Sequence, residues 1–563
     1  MAPLGVWISL LAAAVGHVAA ALARADPVVS VKNGSYEGLY LPAYDQDIFL
    51  GMPYAQNTGG ANRFRIPQSL DETWKGTREA KAYSPACPDY VLPAEELHGM
   101  SEDCLSINIV RPAGFSSNGT AKLPVMLWIH GGGYQYGGSG QPEYNLTYLV
   151  QKSADIGLPV IGASINYRKG AWGNMYSIEI QGSGNTNLAL RDMRKALAWV
   201  QENIENFGGN SSSVTIWGQS AGSFAVGQLL MSYGGKTDGL FHRSIQESGS
   251  ATTAWCNGTE WYQPLYDKIV DQVNCSSVPD TLECLRTIDY DVLYPFMNSS
   301  ITPGPGYYPT VDGDVLPNYP SELLRAGRFA HVPHIYGTVS DEGTDNAPPG
   351  IDTDEELRTF LLLGVGFDFP AATVDRIMEL YPDDPAQGVP INTGSERFAD
   401  QGWQYKRVAA IVGDIFYHAP RRFDAQQYAP RSPTYTYRFN TRPWEEDTAT
   451  NSTTGEEGEL APAYKGVEHF SEVAFVFANP TNVGPWPAYR ALSDQVSPAW
   501  IRFAHTGDPN GPGFPAWPRY GDGKNGLNLV LQTEPQGGIY VEEDTYRLAG
   551  REYLTQWARR RHV

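Results

Sequence analysis

Basic residues are in short supply. The 563-residue chain carries 41 Lys and Arg against 62 Asp and Glu, a formal net charge of −21. Such a surface lacks the cationic patches that phosphates require, which excludes nucleic-acid binding as a function class. It also has no electrostatic hold on anionic membranes. Beyond the N-terminus no apolar stretch reaches the ~20 residues that cross a bilayer. Cysteine is sparse: Cys87, Cys104, Cys256, Cys275 and Cys284 allow at most two bridges and one leftover thiol, and spacing alone assigns no pairs. There is no internal repeat and no long linker, so a single large domain over 26–563 is expected, long enough to bury a sizeable core. The loosest stretch, "TRPWEEDTATNSTTGEEGELAPAYKG" (441–466), reads as a surface loop. Metal-ligand spacing is missing as well. His331 and His334 have no third ligand beside them and read as a surface turn, so neither metal nor organic cofactor is expected.

What is present begins at the N-terminus. "MAPLGVWISLLAAAVGHVAAALARA" has an apolar run from Leu4 to about Val15 followed by small residues at 18–23. Residues 1–23 read as a secretory signal peptide with cleavage near 20–25, although no Lys or Arg precedes the apolar run; a membrane anchor is the alternative. Eight Asn-x-Ser/Thr sequons, at Asn33, Asn118, Asn145, Asn210, Asn257, Asn274, Asn298 and Asn451, agree with an exported, glycosylated chain. The expected location is extracellular.

Short apolar runs such as "PVMLWIH", "LPVIGASINY" and "SVTIWG" alternate with helical patterns. In "LRDMRKALAWVQENIENF" (190–207), Leu190, Met193, Ala196, Leu197, Val200, Ile204 and Phe207 share one face. The combination predicts an α/β fold with a central, mostly parallel sheet flanked by helices.

Within "TIWGQSAGSF" (215–224) a strand ends in Gly218, a serine follows at 220, and helix-forming residues begin after it. G-x-S-x-G between a strand and a helix is the context for a sharp elbow that exposes Ser220. The N–H of Ala221 then opens a helix beside it, where an oxyanion would form. A serine N-cap between two glycines is the plainer reading. "MLWIHGGGYQYGGSG" (126–140) follows another strand, and its glycines let backbone N–H groups approach a carbonyl without side-chain obstruction.

A serine nucleophile needs a base, and the base an orienting acid. In this kind of fold the order is serine, acid, histidine. Asp341 and Glu342, in "HIYGTVSDEGT", both sit just past a strand, and spacing does not choose between them. Of the later histidines, His418 sits in a helical pattern and reads as packing. His505 ends a helix, where the dipole favours an imidazolium, and His562 is at the tail. His469, in "YKGVEHFSEVAFVF", lies in a loop and is the base by elimination.

With "GQSAGS" and "HGGG", the stretches "GMPYAQNTGGANRFRIPQ", "SEDCLSINIVRP", "SINYRKGAWG" and "SDEGT" make the chain similar to type B carboxylesterases, from about residue 28 to near the end. It resembles a fungal secreted member. The resemblance implies an α/β-hydrolase fold, Ser220 as nucleophile, Glu342 as the acid and His469 as the base. It implies oxyanion N–H groups from Gly132, Gly133 and Ala221. It further implies Cys87–Cys104 and Cys275–Cys284 bridges with Cys256 free, and structural ion pairs Arg63–Glu102 and Arg168–Asp192.

Departures from the family pattern are Asn210 in "FGGNS" and Ser106 in "EDCLSIN". Between Cys87 and Cys104, where lipase members carry a long apolar lid, stands "PDYVLPAEELHGMSED". Its five acids, Asp89, Glu95, Glu96, Glu102 and Asp103, are candidates for solvation. Such a loop is poorly suited to opening onto lipid. The expected substrate is therefore a soluble small-molecule ester, short- to medium-chain or aromatic, with no stable membrane association. A lipase or sterol esterase is the alternative; a non-catalytic binding module of the same fold is the further one. Tyr134, Gln135, Tyr136, Trp217 and Phe224 flank the motifs as pocket or packing residues. Oligomeric state is not readable.

Overall fold

The computed structural model describes residues 24–115, 122–254, 256–298, 306–364, 369–445 and 459–558. The signal-peptide segment and the sequons at Asn118 and Asn451 lie outside them.

The core is an eleven-stranded sheet. Its strands are β1 (Leu39–Leu41), β2 (Gln46–Pro53), β3 (Ser106–Pro112), β4 (Leu123–Ile129), β5 (Ile161–Ile165), β6 (Gly209–Gln219), β7 (Arg243–Glu247), β8 (His334–Val339), β9 (Thr434–Phe439), β10 (Leu527–Leu531) and β11 (Tyr540–Glu543). The spatial order is β11-β10-β9-β8-β7-β6-β4-β5-β3-β2-β1. The strands from β4 to β10 run parallel; β1, β2, β3 and β11 close the edges antiparallel. The expected fold class holds.

The continuous apolar runs follow from burial on both faces. In β4, Val125, Leu127 and Ile129 point into one hydrophobic cluster while Met126 and Trp128 point into the other. The first cluster is covered by α1 (Leu188–Asn203) and α2 (Ala221–Met231), the second by α3 (Val473–Phe477) and α4 (Pro487–Thr506). All seven residues of the helical face read from 190–207 are buried. The helix itself stops at Asn203, and Ile204–Phe207 tightens into a 3₁₀ turn that Gly208 ends with φ +82°.

Both disulfides form, Cys87–Cys104 with S–S 2.02 Å and Cys275–Cys284 with S–S 2.00 Å, and Cys256 is free. The Arg63 guanidinium grips Glu102 through two N–H···O bonds of 2.6 and 2.7 Å. Arg168 grips Asp192 at 2.6 and 2.8 Å, and both residues are buried. The solvated reading of the first disulfide loop fails at two acids: Glu102 is in this ion pair, and Asp89 is fully buried against Lys169 at 3.0 Å. His334 is no surface turn either. It begins β8, is buried, and its Nδ1 lies 2.7 Å from Ser244 Oγ. Loop 441–466 is partly structured, since Trp444–Glu445 pairs with Glu459–Leu460. No helix among the described residues is long and apolar enough to cross a membrane.

The turn from β6 into α2 is as tight as the sequence implies. Ser220 adopts φ +57°, ψ −124°, a strained conformation for a residue with a Cβ. A Cβ on Gly218 would come 2.6 Å from the Ile129 carbonyl oxygen, and one on Gly222 2.0 Å from the same atom. Glycine is therefore required on both sides of Ser220, because the end of β4 lies against the turn.

Two outcomes are expected. Gly222→Ala forces backbone apart and destabilises by about 2 kcal/mol or more, whereas Gly182→Ala, where a Cβ meets nothing within 4 Å, is harmless; thermal unfolding compares them. Asp192→Ala strands the buried Arg168 charge and costs about 3–5 kcal/mol, read as a lower urea midpoint. Glu202→Ala, which breaks an exposed pair with Lys32, leaves that midpoint almost unchanged.

Candidate active site

The site lies at the C-terminal edge of the parallel strands. The turn after β6 carries Ser220, whose N–H donates to the Glu247 carbonyl at the end of β7 (2.9 Å) and whose own carbonyl accepts the Phe224 N–H (2.9 Å). Ala221 is the first residue of α2. The loop after β4 brings Gly131 beside the turn: a Cβ there would stand 3.1 Å from Ser220 Cβ. Gly132 and Gly133 follow with φ +94° and +59°. At Gly132 a Cβ would sit 2.0 Å from the Tyr136 carbonyl oxygen, so the turn admits only glycine; at Gly133 the nearest neighbour is the Tyr308 hydroxyl at 4.0 Å.

Glu342 stands just after β8, fully buried. Its Oε1 accepts the Val339 N–H at 2.9 Å, and its Oε2 lies 2.7 Å from His469 Nδ1. The neighbouring Asp341 does different work: its two oxygens accept the N–H groups of Ile391 (2.9 Å) and Val467 (2.8 Å), and burial raises its pKa to about 6. The structure thus separates two acids that spacing left equivalent. Glu342 meets the imidazole; Asp341 ties the histidine's loop to the sheet.

His469 is held on several sides. Its Nε2 lies 3.1 Å from Gln219 Nε2, and its ring sits 4.7 Å from that of Tyr417. Burial opposes the imidazolium, but the Glu342 carboxylate outweighs it and the pKa is raised above the ordinary histidine value. With Nδ1–H donated to Glu342, the amide N–H of Gln219 finds the lone pair on Nε2. That is the tautomer a general base requires.

His562 lies outside the described residues, and the other histidine candidates among them are packing residues. His418 is buried with Nδ1 3.2 Å from Thr338 Oγ1, and burial pulls its pKa to about 3. His505 corrects the dipole expectation. Burial lowers its pKa despite the helix end, and outweighs the opposing pull of the Leu158 carbonyl 3.1 Å from Nε2. His130 stacks on Tyr167 (4.4 Å), with Nδ1 against the Gly131 carbonyl. Trp217 is core, stacked on Phe477 at 4.8 Å; Tyr134 is buried; Tyr136 is exposed. Gln135 braces the glycine turn, its amide donating to the Gly133 (3.2 Å) and Tyr307 (2.8 Å) carbonyls.

Sequence reading missed two buried acids beside the site. Glu472 Oε1 accepts from Ser248 Oγ at 3.1 Å, and Glu247 Oε1 accepts from Trp500 Nε1 at 2.7 Å. Burial first, and then Glu472, raises Glu247 well above the carboxylate range; burial and Glu342 raise Glu472 to about 7. Glu472 stands only three residues past His469, but the turn between them is not helical, with Phe470 at φ +82°, so the spacing carried no signal. Gln219 lies within the motif itself, but its partner His469 stands 250 residues further along the chain. No group of three or more candidate metal ligands occurs among the described residues.

Residues 25–548 match the carboxylesterase family model. A protein named Lipase 2 from Geotrichum candidum is 33% identical, the alignment covering 96% of this chain and 97% of that one. A secreted triacylglycerol lipase of Gibberella zeae is 36% identical over 73% of this chain and 74% of its own. Among solved structures, Aspergillus niger EstA superposes with TM-score 0.80 at 28% identity, covering 96% of this chain and 99% of that one. A PNB esterase gives 0.74 at 26% identity, covering 94% and 100%. The chain belongs to the carboxylesterase family and is a carboxylic ester hydrolase.

Proposed function

We propose that the protein is a secreted serine esterase working through Ser220, His469 and Glu342, on soluble short- to medium-chain or aromatic esters. The observation that carries this reading is the Glu342–His469 bond of 2.7 Å at the same sheet edge as the strained Ser220 turn. Ser220 Oγ attacks the ester carbonyl while His469 Nε2 takes its proton, displacing the Gln219 amide. Glu342 holds the tautomer and stabilises the imidazolium. The oxyanion is received by the N–H groups of Gly132, Gly133 and Ala221. His469 then protonates the leaving alcohol, and water releases the acid by the reverse path.

Soluble esters are favoured because the segment between Cys87 and Cys104 is short and is held against the protein by its buried Asp89. The second reading, a lipase, draws on the names of the relatives. Secretion is supported by relatives named secreted lipases. Of the sequons, Asn274 is exposed and suited to glycan, while Asn257 is buried and its carbonyl accepts from Thr310 Oγ1.

The first test is hydrolysis of p-nitrophenyl butyrate beside an emulsified long-chain triglyceride. The wild type is expected to favour the soluble ester, and Ser220→Ala to lose about 10³-fold or more. Equal activity in both forms would falsify the assignment of Ser220, and preference for the emulsion would replace the esterase reading with the lipase one.

A pH profile tests the base. The ring acts when neutral, and its pKa is raised, so kcat/KM should fall as pH drops through a value above the ordinary ~6.5 of histidine. Glu342→Gln removes the charge that raises it, so the acid limb should move to lower pH while the rate falls. A limb that stays in place would assign it to another group.

A further inference from the structure

Two opposite charges are buried directly behind the glycine turn. Lys169 Nζ lies 3.0 Å from Asp89 Oδ2, and neither residue is more than 1% exposed. Hydrocarbon often fills such a place at no cost in stability, so a buried ion pair calls for an account of the bonds it makes. Here they converge on one short segment. Asp89 Oδ2 accepts the Gly137 N–H at 2.7 Å, and Lys169 Nζ donates to the Gly137 carbonyl. The next residue, Gly170, donates its N–H to the Tyr134 carbonyl at 2.6 Å.

Tyr134–Gly137, immediately after Gly132 and Gly133, is therefore gripped at both ends by residues 169 and 170. Asp89 grips it from the other side. Gly137 itself has φ +98°, and a Cβ there would stand 3.0 Å from His130 Nδ1, leaving the turn no slack. Asp89 is equally fixed. Its Oδ1 accepts the Val91 and Leu92 N–H groups at 2.8 and 3.0 Å, and the Cys87–Cys104 bridge anchors the chain two residues before it.

We propose that Asp89 and Lys169 are positioning residues for the oxyanion loop, and that the first disulfide loop is a fixed brace for that loop rather than a moving lid. The inference rests on Gly132 and Gly133 being oxyanion donors. Their N–H groups act on the transition state more than on the bound ester, so a shift in the turn lowers kcat and spares KM. Misplacement by about 1 Å is enough for a loss of order 10²-fold.

Lys169→Met keeps the apolar stem and removes the ammonium. On p-nitrophenyl butyrate it is expected to lower kcat about tenfold or more, with KM within about twofold. Lys169→Met with Asp89→Asn removes both charges and leaves an amide oxygen for the Gly137 N–H. It is expected to recover most of the lost kcat, a rescue that a general loss of stability would not give. If Lys169→Met does not accumulate as folded protein, Asp89→Asn alone reads the same split. An unchanged kcat in the single variants, a loss confined to KM, or a double variant no better than Lys169→Met overturns the positioning role. Ser220→Ala in parallel separates the levels. If it is inactive while Lys169→Met is unimpaired, only the brace is lost; if it is active, the site reading beneath it falls too.

Discussion

The site depends on one backbone approach: the carbonyl of Ile129, at the end of β4, against Gly218 and Gly222 on either side of Ser220. A Cβ at either glycine would overlap that oxygen's contact distance, so the serine turn and the glycine loop after β4 share one small volume. That crowding holds Ser220 at φ +57°. A strained residue persists only when its surroundings over-determine it, and here they do. The Ser220 N–H is fixed by Glu247, its carbonyl by Phe224, and Gly249 comes so close that a Cβ there would lie 2.4 Å from that carbonyl oxygen. The same approach that strains the serine sets Gly131 at its Cβ, so the proposed nucleophile and oxyanion loop are placed by a single packing constraint.

Several acidic groups are buried close to this turn. Glu342, Glu472 and Glu247 are all buried, and Glu472 faces both of the others. Three adjacent carboxylates in a low dielectric would repel one another strongly, and the cost falls when some hold their protons. Glu247, bonded to Trp500 and facing Glu472, is held well above the carboxylate range. Glu342 is the carboxylate that bonds the imidazole directly. The Asp89–Lys169 pair behind the oxyanion loop follows a different rule: its two charges compensate each other at 3.0 Å, and both use their remaining bonds on the backbone.

What the sequence made legible was local. Strand, turn and helix around Ser220 follow from period, glycine placement and helix-forming residues, and all appear as read. So does the buried face of the helix beginning at Leu188, because a 3.6-residue period is written into one segment. What escaped depended on partners far along the chain. His505 sits at a helix end, as its position says, but burial, which no local pattern shows, lowers its pKa. Asp89 stands in an acidic run and reads as solvated, yet its counter-ion lies eighty residues away on a different loop. Asp341 and Glu342 are adjacent and chemically alike; which one reaches His469 depends on the fold of residues 467–469, to which Asp341 is tied.

The chain order of serine, acid and histidine has a geometric reason in this sheet. Ser220 follows β6 and Glu342 follows β8, with β7 between them. Parallel neighbours lie about 4.8 Å apart, so two steps separate the strand ends by roughly 10 Å. A serine hydroxyl and a carboxylate across that gap cannot bond each other, and Glu247, at the end of β7 between them, is bonded to Trp500 instead. The bridging group has to descend from outside the sheet. His469 does so from the loop before α3, once Asp341 has fixed the Val467 N–H at 2.8 Å. The sheet supplies the spacing, the loop supplies the imidazole, and the acid that does not touch the imidazole is what lets the loop supply it. The fold alone does not make an enzyme; the chemistry resides in the residues at the sheet edge and not in the strands that carry them.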